Sequence, residues 1–198
     1  MSISKLLRAN PGANTALLMR NLYFVRAAFA LVWALGLLCL MTLPAFIAFL
    51  LILYPAFDAG SSLYDVYVHR ASKNTLAQKT NVVISLLTVI AVLVVTSMGV
   101  PAILRVFGAW AILTGGIELV TAIRRWKELS GQAILVFGGT LSIIAGSSFI
   151  ALAGQPTFGL SSLAGYALMG SWQFLFSALR LIKQARQNTQ TDNFSHQS

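Results

Sequence analysis

Six long apolar runs dominate the sequence and limit what the chain can fold into. They cover residues 27–42, 45–68, 82–98, 102–123, 133–153 and 158–182. An α-helix rises about 1.5 Å per residue, so each run is about long enough to cross a hydrocarbon core of roughly 30 Å. Charged residues make up only 10% of the chain, against about 25% in soluble domains. The runs therefore predict an all-α membrane protein with six transmembrane helices.

The basic residues fall almost entirely on one predicted side of the membrane. Of the 14 Lys and Arg residues, only Arg105 lies outside the two ends of the chain and the long connections at 69–81 and 124–132. Because cytoplasmic loops are enriched in Lys and Arg, both termini and both long connections are expected in the cytoplasm. The expected cytoplasmic anchors are Arg70, Arg125 and Arg180. Short clusters between apolar runs do not resemble a nucleic-acid surface, so no nucleic-acid partner is expected.

The two ends of the chain are polar. Residues 1–26 are expected to form a basic cytoplasmic lead. Within it, residues 14–26 have two interpretations: an amphipathic helix lying on the inner leaflet, or a flexible lead into the first span. The transmembrane domain is expected to cover residues 27–186, and residues 187–198 are predicted to be a disordered cytoplasmic tail.

Similar residues recur at an interval of 55 positions. The equivalent sets are Gly60, Gly115 and Gly170; Arg70, Arg125 and Arg180; and Gly36, Ala91 and Gly146. A fixed period indicates an internal repeat, here at about 27–81, 82–132 and 133–186. Each copy holds two helices, so all three copies enter the membrane in the same direction. The sequence thus predicts three tandem helical hairpins around a pseudo-threefold axis.

Small residues in the runs are predicted to let helices approach closely. Lipid does not drive apolar helices together, so close backbone contact has to hold them. The predicted packing glycines are Gly36, Gly60, Gly115, Gly146 and Gly170. A ridge of Gly138, Ser142 and Gly146 on the fifth run is interpreted as intramolecular packing, with a dimer seam or a pore lining as the alternative.

Four polar residues inside the runs form the candidate intramembrane site: Glu118, Asp58, Gln173 and Thr114. Ionisable groups in a bilayer cost about 2.5–3.5 kcal/mol on insertion scales, so they are functional candidates. Gln173 holds the position of Glu118 in the third repeat, and Thr114 is expected within hydrogen-bonding reach of Glu118. Glu118 is either a carboxyl that senses or carries protons or a polar group that pins helices together. Asp58 follows Pro55 at an expected kink, which marks either a cavity or a packing adjustment.

Signals for soluble enzymology are missing from the sequence. It has no phosphate-binding loop, no dinucleotide-binding turn and no cysteine–histidine cluster. Asp65 and His69 are expected to form an interfacial pair, with a pH switch as the alternative, and Arg105 is expected to reach lipid headgroups. We therefore expect neither an enzyme nor a bound cofactor or metal.

Residues 105–127, RVFGAWAILTGGIELVTAIRRWK, resemble the repeat of the HdeD-like family of small acid-resistance membrane proteins. The shared pattern is an aromatic and small-residue run followed by Gly115, Glu118, Arg124 and Arg125. Residues 170–180 and 60–70 are looser copies of it. The resemblance implies a location in the bacterial inner membrane and a role in stress or acid tolerance, and it implies no catalytic residues.

Two functions remain open from the sequence. The first is a structural or stress-related protein that acts through helix packing, lipid, or a partner such as a second copy of the chain or another membrane protein. The scarcity of polar residues in the runs favours this first function. The second is a small transporter or proton-coupled channel that uses Glu118 and Asp58. A polar cavity that reaches Glu118 is the feature that would favour transport.

Overall fold

The described part of the chain is helical and contains no strands. The computed structural model describes residues 11–40, 42–70, 75–124, 126 and 132–195. Its helices are α1 (Pro11–Cys39), α2 (Pro44–Val68), α3 (Leu76–Val95), α4 (Val100–Arg124), α5 (Gln132–Leu152) and α6 (Ser161–Ser195). A 3₁₀ turn, Thr96–Met98, follows α3. The all-α prediction is confirmed for these ranges.

Most of these helices have the length and composition of membrane spans. Five described segments meet both requirements: Thr15–Cys39, Pro44–Val68, Leu76–Met98, Val100–Arg124 and Gln132–Leu152. The sixth helix, α6, is 35 residues long. It is less apolar than the others because serines and Gln173 interrupt its apolar run. The fold is thus compatible with a multispan membrane protein.

Proline and glycine set the helix ends on the side of the short connections. Pro44 is the first residue of α2, where its missing N–H costs little. Gly99 has a φ of 87°, a backbone conformation that favours glycine, and it separates the 3₁₀ turn from α4. These residues let consecutive helices reverse direction within a few positions.

At both ends of the chain the helices extend beyond the boundaries predicted for the transmembrane domain. Helix α1 runs without a break from Pro11 to Cys39, so Arg26 lies inside a helix rather than at the end of a separate lead. No glycine or proline interrupts residues 14–35, so the helix propagates. At the other end α6 continues to Ser195, where a disordered tail was expected. Residues 183–195 contain no glycine or proline either.

The helices form a ring in which neighbours along the chain pack on each other. The most extensive contacts join α4 with α5, α2 with α3, and the first helix α1 with the last helix α6. Smaller contacts join α1 with α2, α3 with α4, and α5 with α6. The contact between α1 and α6 closes the ring.

An apolar core fills the half of the bundle nearer the short connections. Its largest fully buried side chains include Leu37, Leu51, Leu104, Phe107 and Leu163. The indole nitrogen of Trp33, also in this core, donates a hydrogen bond of 2.6 Å to the carbonyl of Leu50. Many large apolar side chains point outward instead, such as Val32 with 68% of its surface exposed. That outward surface suits contact with lipid.

Candidate functional site

A cavity of about 530 Å³ occupies the other half of the bundle, and all six helices contribute to its wall. Its deep end is lined by Tyr54 and Trp110, which border the apolar core. Towards the long connections it reaches Ala77 and Ala133, near the first residues of α3 and α5. The cavity is therefore sealed at one end of the bundle by packed apolar side chains and extends towards the other end.

Asp58 is the centre of a hydrogen-bond network on one side of this cavity. Its Oδ2 accepts a bond of 2.8 Å from Asn81 Nδ2 and one of 2.6 Å from the Ser85 hydroxyl. The indole nitrogen of Trp110 donates to the same Ser85 oxygen over 3.1 Å. The network joins α2, α3 and α4, so Asp58 helps to hold three helices in register while lining the cavity.

Arg26 supplies the positive charge of this network. Its Nη2 lies 3.6 Å from Asp58 Oδ1. The guanidinium also donates to the hydroxyls of Ser61 at 2.8 Å and Ser62 at 3.0 Å, and its Cζ lies 5.3 Å from the centre of the Phe174 ring. Arg26 was predicted to be a cytoplasmic charge that precedes the first span. The structure shows that α1 carries its side chain into the bundle, where it pairs with Asp58.

Glu118 also lines the cavity and is held by an amide. Gln173 Nε2 donates a hydrogen bond of 2.6 Å to Glu118 Oε1. Among the described residues, no Lys, Arg or His nitrogen lies within 4.0 Å of the Glu118 carboxylate. A Cβ on Gly138 would collide with the Gln173 carboxamide. Gly138 thus leaves the space that lets Gln173 reach Glu118.

Thr114 lines the same cavity but does not bind Glu118. Its hydroxyl donates to the backbone carbonyls of Trp110 at 3.0 Å and Ala111 at 3.4 Å, one turn earlier in α4. The expected bond to Glu118 is therefore wrong, because the preceding turn of its own helix satisfies the hydroxyl. All four predicted polar residues nevertheless line one cavity.

Two of the predicted packing glycines lie at the closest helix contact, between α4 and α5. A Cβ on Gly115 would come within 2.8 Å of the carbonyl of Gly139, and a Cβ on Gly146 within 2.5 Å of the carbonyl of Gly108. The partners Gly108 and Gly139 were not singled out from the sequence. Each lies seven residues, or about two turns, before the predicted glycine of its own helix, and that spacing was the available signal.

The other three predicted glycines differ in their surroundings. A Cβ on Gly36 would make an ordinary contact of 3.5 Å with Leu50, and one on Gly170 would lie 3.8 Å from the Tyr54 hydroxyl. Gly60 is exposed, and a Cβ there would have no described atom within 4 Å. Gly60 is thus not a position of close packing within the described chain, because its face of α2 points away from the bundle.

Two of the predicted anchors, Arg70 and Arg180, lie towards the end of the bundle that the cavity approaches. Arg70 is exposed, with its Cζ 4.5 Å from the centre of the Tyr67 ring. Arg180 is half-buried on α6, and Arg125 lies outside the described residues. The expected pair of His69 and Asp65 is present, with Nδ1 2.6 Å from Oδ1.

Aromatic side chains make up much of the remaining wall. Tyr23 stacks on Phe174, with ring centres 6.3 Å apart, and the Tyr166 hydroxyl donates to Ser142 over 3.1 Å. In the part of the chain that the structure describes, no group of three His, Cys, Asp or Glu residues could hold a metal ion. The arrangement suits a small solute with one charged group, since such pockets combine apolar surface with a few polar contacts.

Comparison with known proteins adds no relative. No protein-family model, curated protein or solved structure matches this chain. The resemblance of residues 105–127 to the HdeD-like family therefore stays a prediction.

Proposed function

We propose that the chain is a small membrane carrier that couples the movement of a solute to that of a proton through the cavity. The observation that carries this proposal is that Asp58 and Glu118, distant in sequence, line the same space. A volume of about 530 Å³ falls in the range of roughly 300–1,000 Å³ that is typical of small-molecule sites. A carboxyl that only pins helices together needs no such space beside it.

The position of the cavity also supports a carrier. The space extends from mid-bundle towards one end, while Leu37, Leu104 and Phe107 in the apolar core close the other end. Alternating access requires a state in which the binding site is reached from one side of the membrane only. A one-sided cavity has the geometry of such a state.

We also propose that the six helices are three tandem hairpins around a pseudo-threefold axis. Glu118 and Gln173, which share a hydrogen bond, are separated by the repeat length of 55 residues. Arg26 and Asn81 are separated by the same interval, and both donate to Ser62 and contact Asp58. A symmetry axis along the membrane normal brings equivalent positions of successive repeats together inside the bundle.

The proposed location is the bacterial inner membrane, with both termini and the cavity end towards the cytoplasm. Support comes from the exposed Arg70, Lys79 and Arg124 at that end of the bundle, because basic residues favour the cytoplasmic side. A role in acid or stress tolerance, proposed from the resemblance of residues 105–127, agrees with a carrier that exchanges protons.

A structural protein is the second candidate, and the contact between α4 and α5 favours it. Gly108, Gly115, Gly139 and Gly146 bring these two backbones so close that an added Cβ at any of them would collide with the partner helix. Such rigid packing is sufficient for a scaffold that acts through lipid, a second copy of the chain or another membrane protein. This alternative requires no solute and no proton movement.

Proton movement in proteoliposomes tests the carrier. Vesicles containing the purified protein and the internal pH dye pyranine are given, in turn, inward gradients of phenyltrimethylammonium, benzenesulfonate and tert-butylbenzene. The carrier predicts that at least one of these solutes changes the internal pH faster than in protein-free vesicles. Glu118→Gln is expected to reduce that rate about tenfold or more, since transfer by a positioned acid or base contributes about 10²–10⁴-fold.

Asp192→Asn is the matched control, because it removes the same charge near the end of α6. Its rate is expected to equal that of the wild-type protein. If no solute moves protons in wild-type vesicles, the carrier proposal fails and the structural candidate stands. If Glu118→Gln keeps the wild-type rate, Glu118 is not the coupling residue.

A further inference from the structure

The charge of the cavity wall is unbalanced in favour of acid. Three of its lining residues are carboxylic acids, Asp58, Asp65 and Glu118, and the only Lys or Arg among the described lining residues is Arg26. Asp58 has the Arg26 guanidinium as its ion-pair partner, and Asp65 contacts the His69 ring, which is a cation only when it is protonated. Glu118 has a neutral amide partner, so this acid lacks a matching cation.

The Glu118 carboxylate also keeps an unused acceptor. Gln173 is its hydrogen-bond partner among the described residues, and the bond involves Oε1 only. Oε2 has no hydrogen-bond partner among the described residues, and Glu118 lines the cavity. Arg26 acts on Glu118 more strongly than Asp58 does, but its guanidinium is paired with Asp58 and makes no ion pair with the Glu118 carboxylate. A ligand cation would therefore meet an acceptor that the protein itself leaves free.

The aromatic wall suits the same kind of ligand. Tyr23, Tyr54, Trp110, Tyr166 and Phe174 all line the cavity. Tyr23 and Tyr166 lie within electrostatic range of Glu118. Aromatic faces attract cations within about 6 Å of the ring centre. The protein already uses this contact, since the guanidinium of Arg26 lies over the Phe174 ring.

We infer that the cavity takes an organic cation, an ammonium group carrying an apolar or aromatic body, whose charge is held by the Glu118 carboxylate. An anion would need a free cation, and Arg26 is committed to Asp58, Ser61 and Ser62. A purely apolar solute would leave the Glu118 carboxylate with Gln173 alone and without a cationic partner. The inference rests on the proposed carrier, because it names the substrate class of the same site.

A single carboxylate also explains coupling to protons. Glu118 binds a cation only when it has released its own proton, and it binds a proton only when the cation has left. Exchange between the two is then obligatory at this residue. The expected direction is proton export from the cavity when the cation enters it.

Equilibrium binding in detergent tests the ligand class without requiring transport. Three ligands of nearly equal shape are used: phenyltrimethylammonium, its neutral isostere tert-butylbenzene, and benzenesulfonate. Quenching of the fluorescence of Trp110 and Trp172, both in the cavity wall, reports occupancy. The cation is expected to bind about tenfold or more tightly than either of the others, and Glu118→Gln to remove that preference while tert-butylbenzene binding is unchanged.

The outcomes separate the two proposals. If tert-butylbenzene or benzenesulfonate binds as tightly as the cation, or if Glu118→Gln keeps the preference, the inference about the ligand is overturned even where vesicle transport is observed. If the cation binds through Glu118 but moves no protons in vesicles, the ligand class stands and the carrier proposal fails. If Glu118→Gln does not remain monodisperse, the affinities of the three ligands for the wild-type protein test the inference about the ligand class. The cation must then bind most tightly, and Asp192→Asn is the control.

Discussion

Gln173 on α6 donates a hydrogen bond of 2.6 Å to Glu118 on α4, two helices away along the chain. The bond passes over Gly138 of α5, where any side chain would occupy the space of the Gln173 carboxamide. Three helices thus cooperate to hold one carboxyl at the wall of the cavity. The same geometry leaves Oε2 of Glu118 open, which is why this residue is central to both proposals.

Substituting Gly138 by alanine is expected to displace Gln173 from Glu118. The loss of this hydrogen bond should lower the free energy of unfolding by about 1–3 kcal/mol. Unfolding by sodium dodecyl sulfate in mixed micelles measures it. In a Gln173→Ala background the same Gly138→Ala change should cost less than about 0.5 kcal/mol, because its collision partner is gone. If Gly138→Ala lowers the free energy of unfolding equally in both backgrounds, the predicted collision between the new Cβ and Gln173 is contradicted.

A methyl group added at the contact between α4 and α5 should destabilise the protein. Gly115→Ala and Gly146→Ala are each expected to destabilise the protein by about 1–3 kcal/mol, since the new Cβ meets the partner backbone and both helices must separate. Gly60→Ala is the matched control. Its Cβ has open surroundings, so stability should stay the same or rise by up to about 1 kcal/mol. If Gly60→Ala lowers the stability as much as Gly146→Ala does, close helix packing is not the cause of the destabilisation.

The contributions of Arg26 and Asp58 to the free energy of unfolding should depend on each other. Both side chains are mostly shielded, with 15% and 20% of their surfaces exposed. Arg26→Leu leaves Asp58 as an unpaired charge and should cost about 3 kcal/mol of unfolding free energy. Adding Asp58→Asn should recover more than half of that loss, because the amide oxygen still accepts from Asn81 and Ser85. A double variant that is less stable than Arg26→Leu would rule out this pairing.

Thiol labelling in oriented membrane vesicles tests the direction of the cavity. Thr114→Cys, in a Cys39→Ser background, should react with a membrane-impermeant maleimide from the same face as Trp126→Cys, because the cavity extends towards that end. Cys39 itself, exposed at the end of α1, should react from the opposite face.

Ala167→Cys is the control for this labelling, since Ala167 is fully buried in the apolar core. It should react from neither face. Labelling of Thr114→Cys from the face of Cys39 would mean that the cavity opens on the other side of the membrane. Labelling of Trp126→Cys and Cys39 from one face would contradict the three membrane crossings by α2, α3 and α4 that lie between these positions.

Hydropathy alone was sufficient to predict the helices, but not the site. Glu118, Asp58 and Gln173 could be predicted as polar groups in apolar runs, because an ionisable residue in such a run is conspicuous whatever the tertiary fold. Arg26 was misplaced, since a cation close to the end of an apolar run looks like an anchor until its partner is known. Asn81 was assigned to a connection because it is a polar residue directly before the apolar run 82–98. The structure places it in the network around Asp58.

What the sequence by itself determined is the local structure of this protein and the apolar character of its helices. Long apolar runs favour helices with internally satisfied backbones, and this requirement acts within each segment. Only the tertiary structure decided which polar side chains meet. Those meetings depend on how each helix is rotated against neighbours that are distant in sequence: Gln173 finds Glu118 across Gly138, and Arg26 finds Asp58 across the interface of α1 and α2. The cavity between them is a property of the packed bundle and of no single helix.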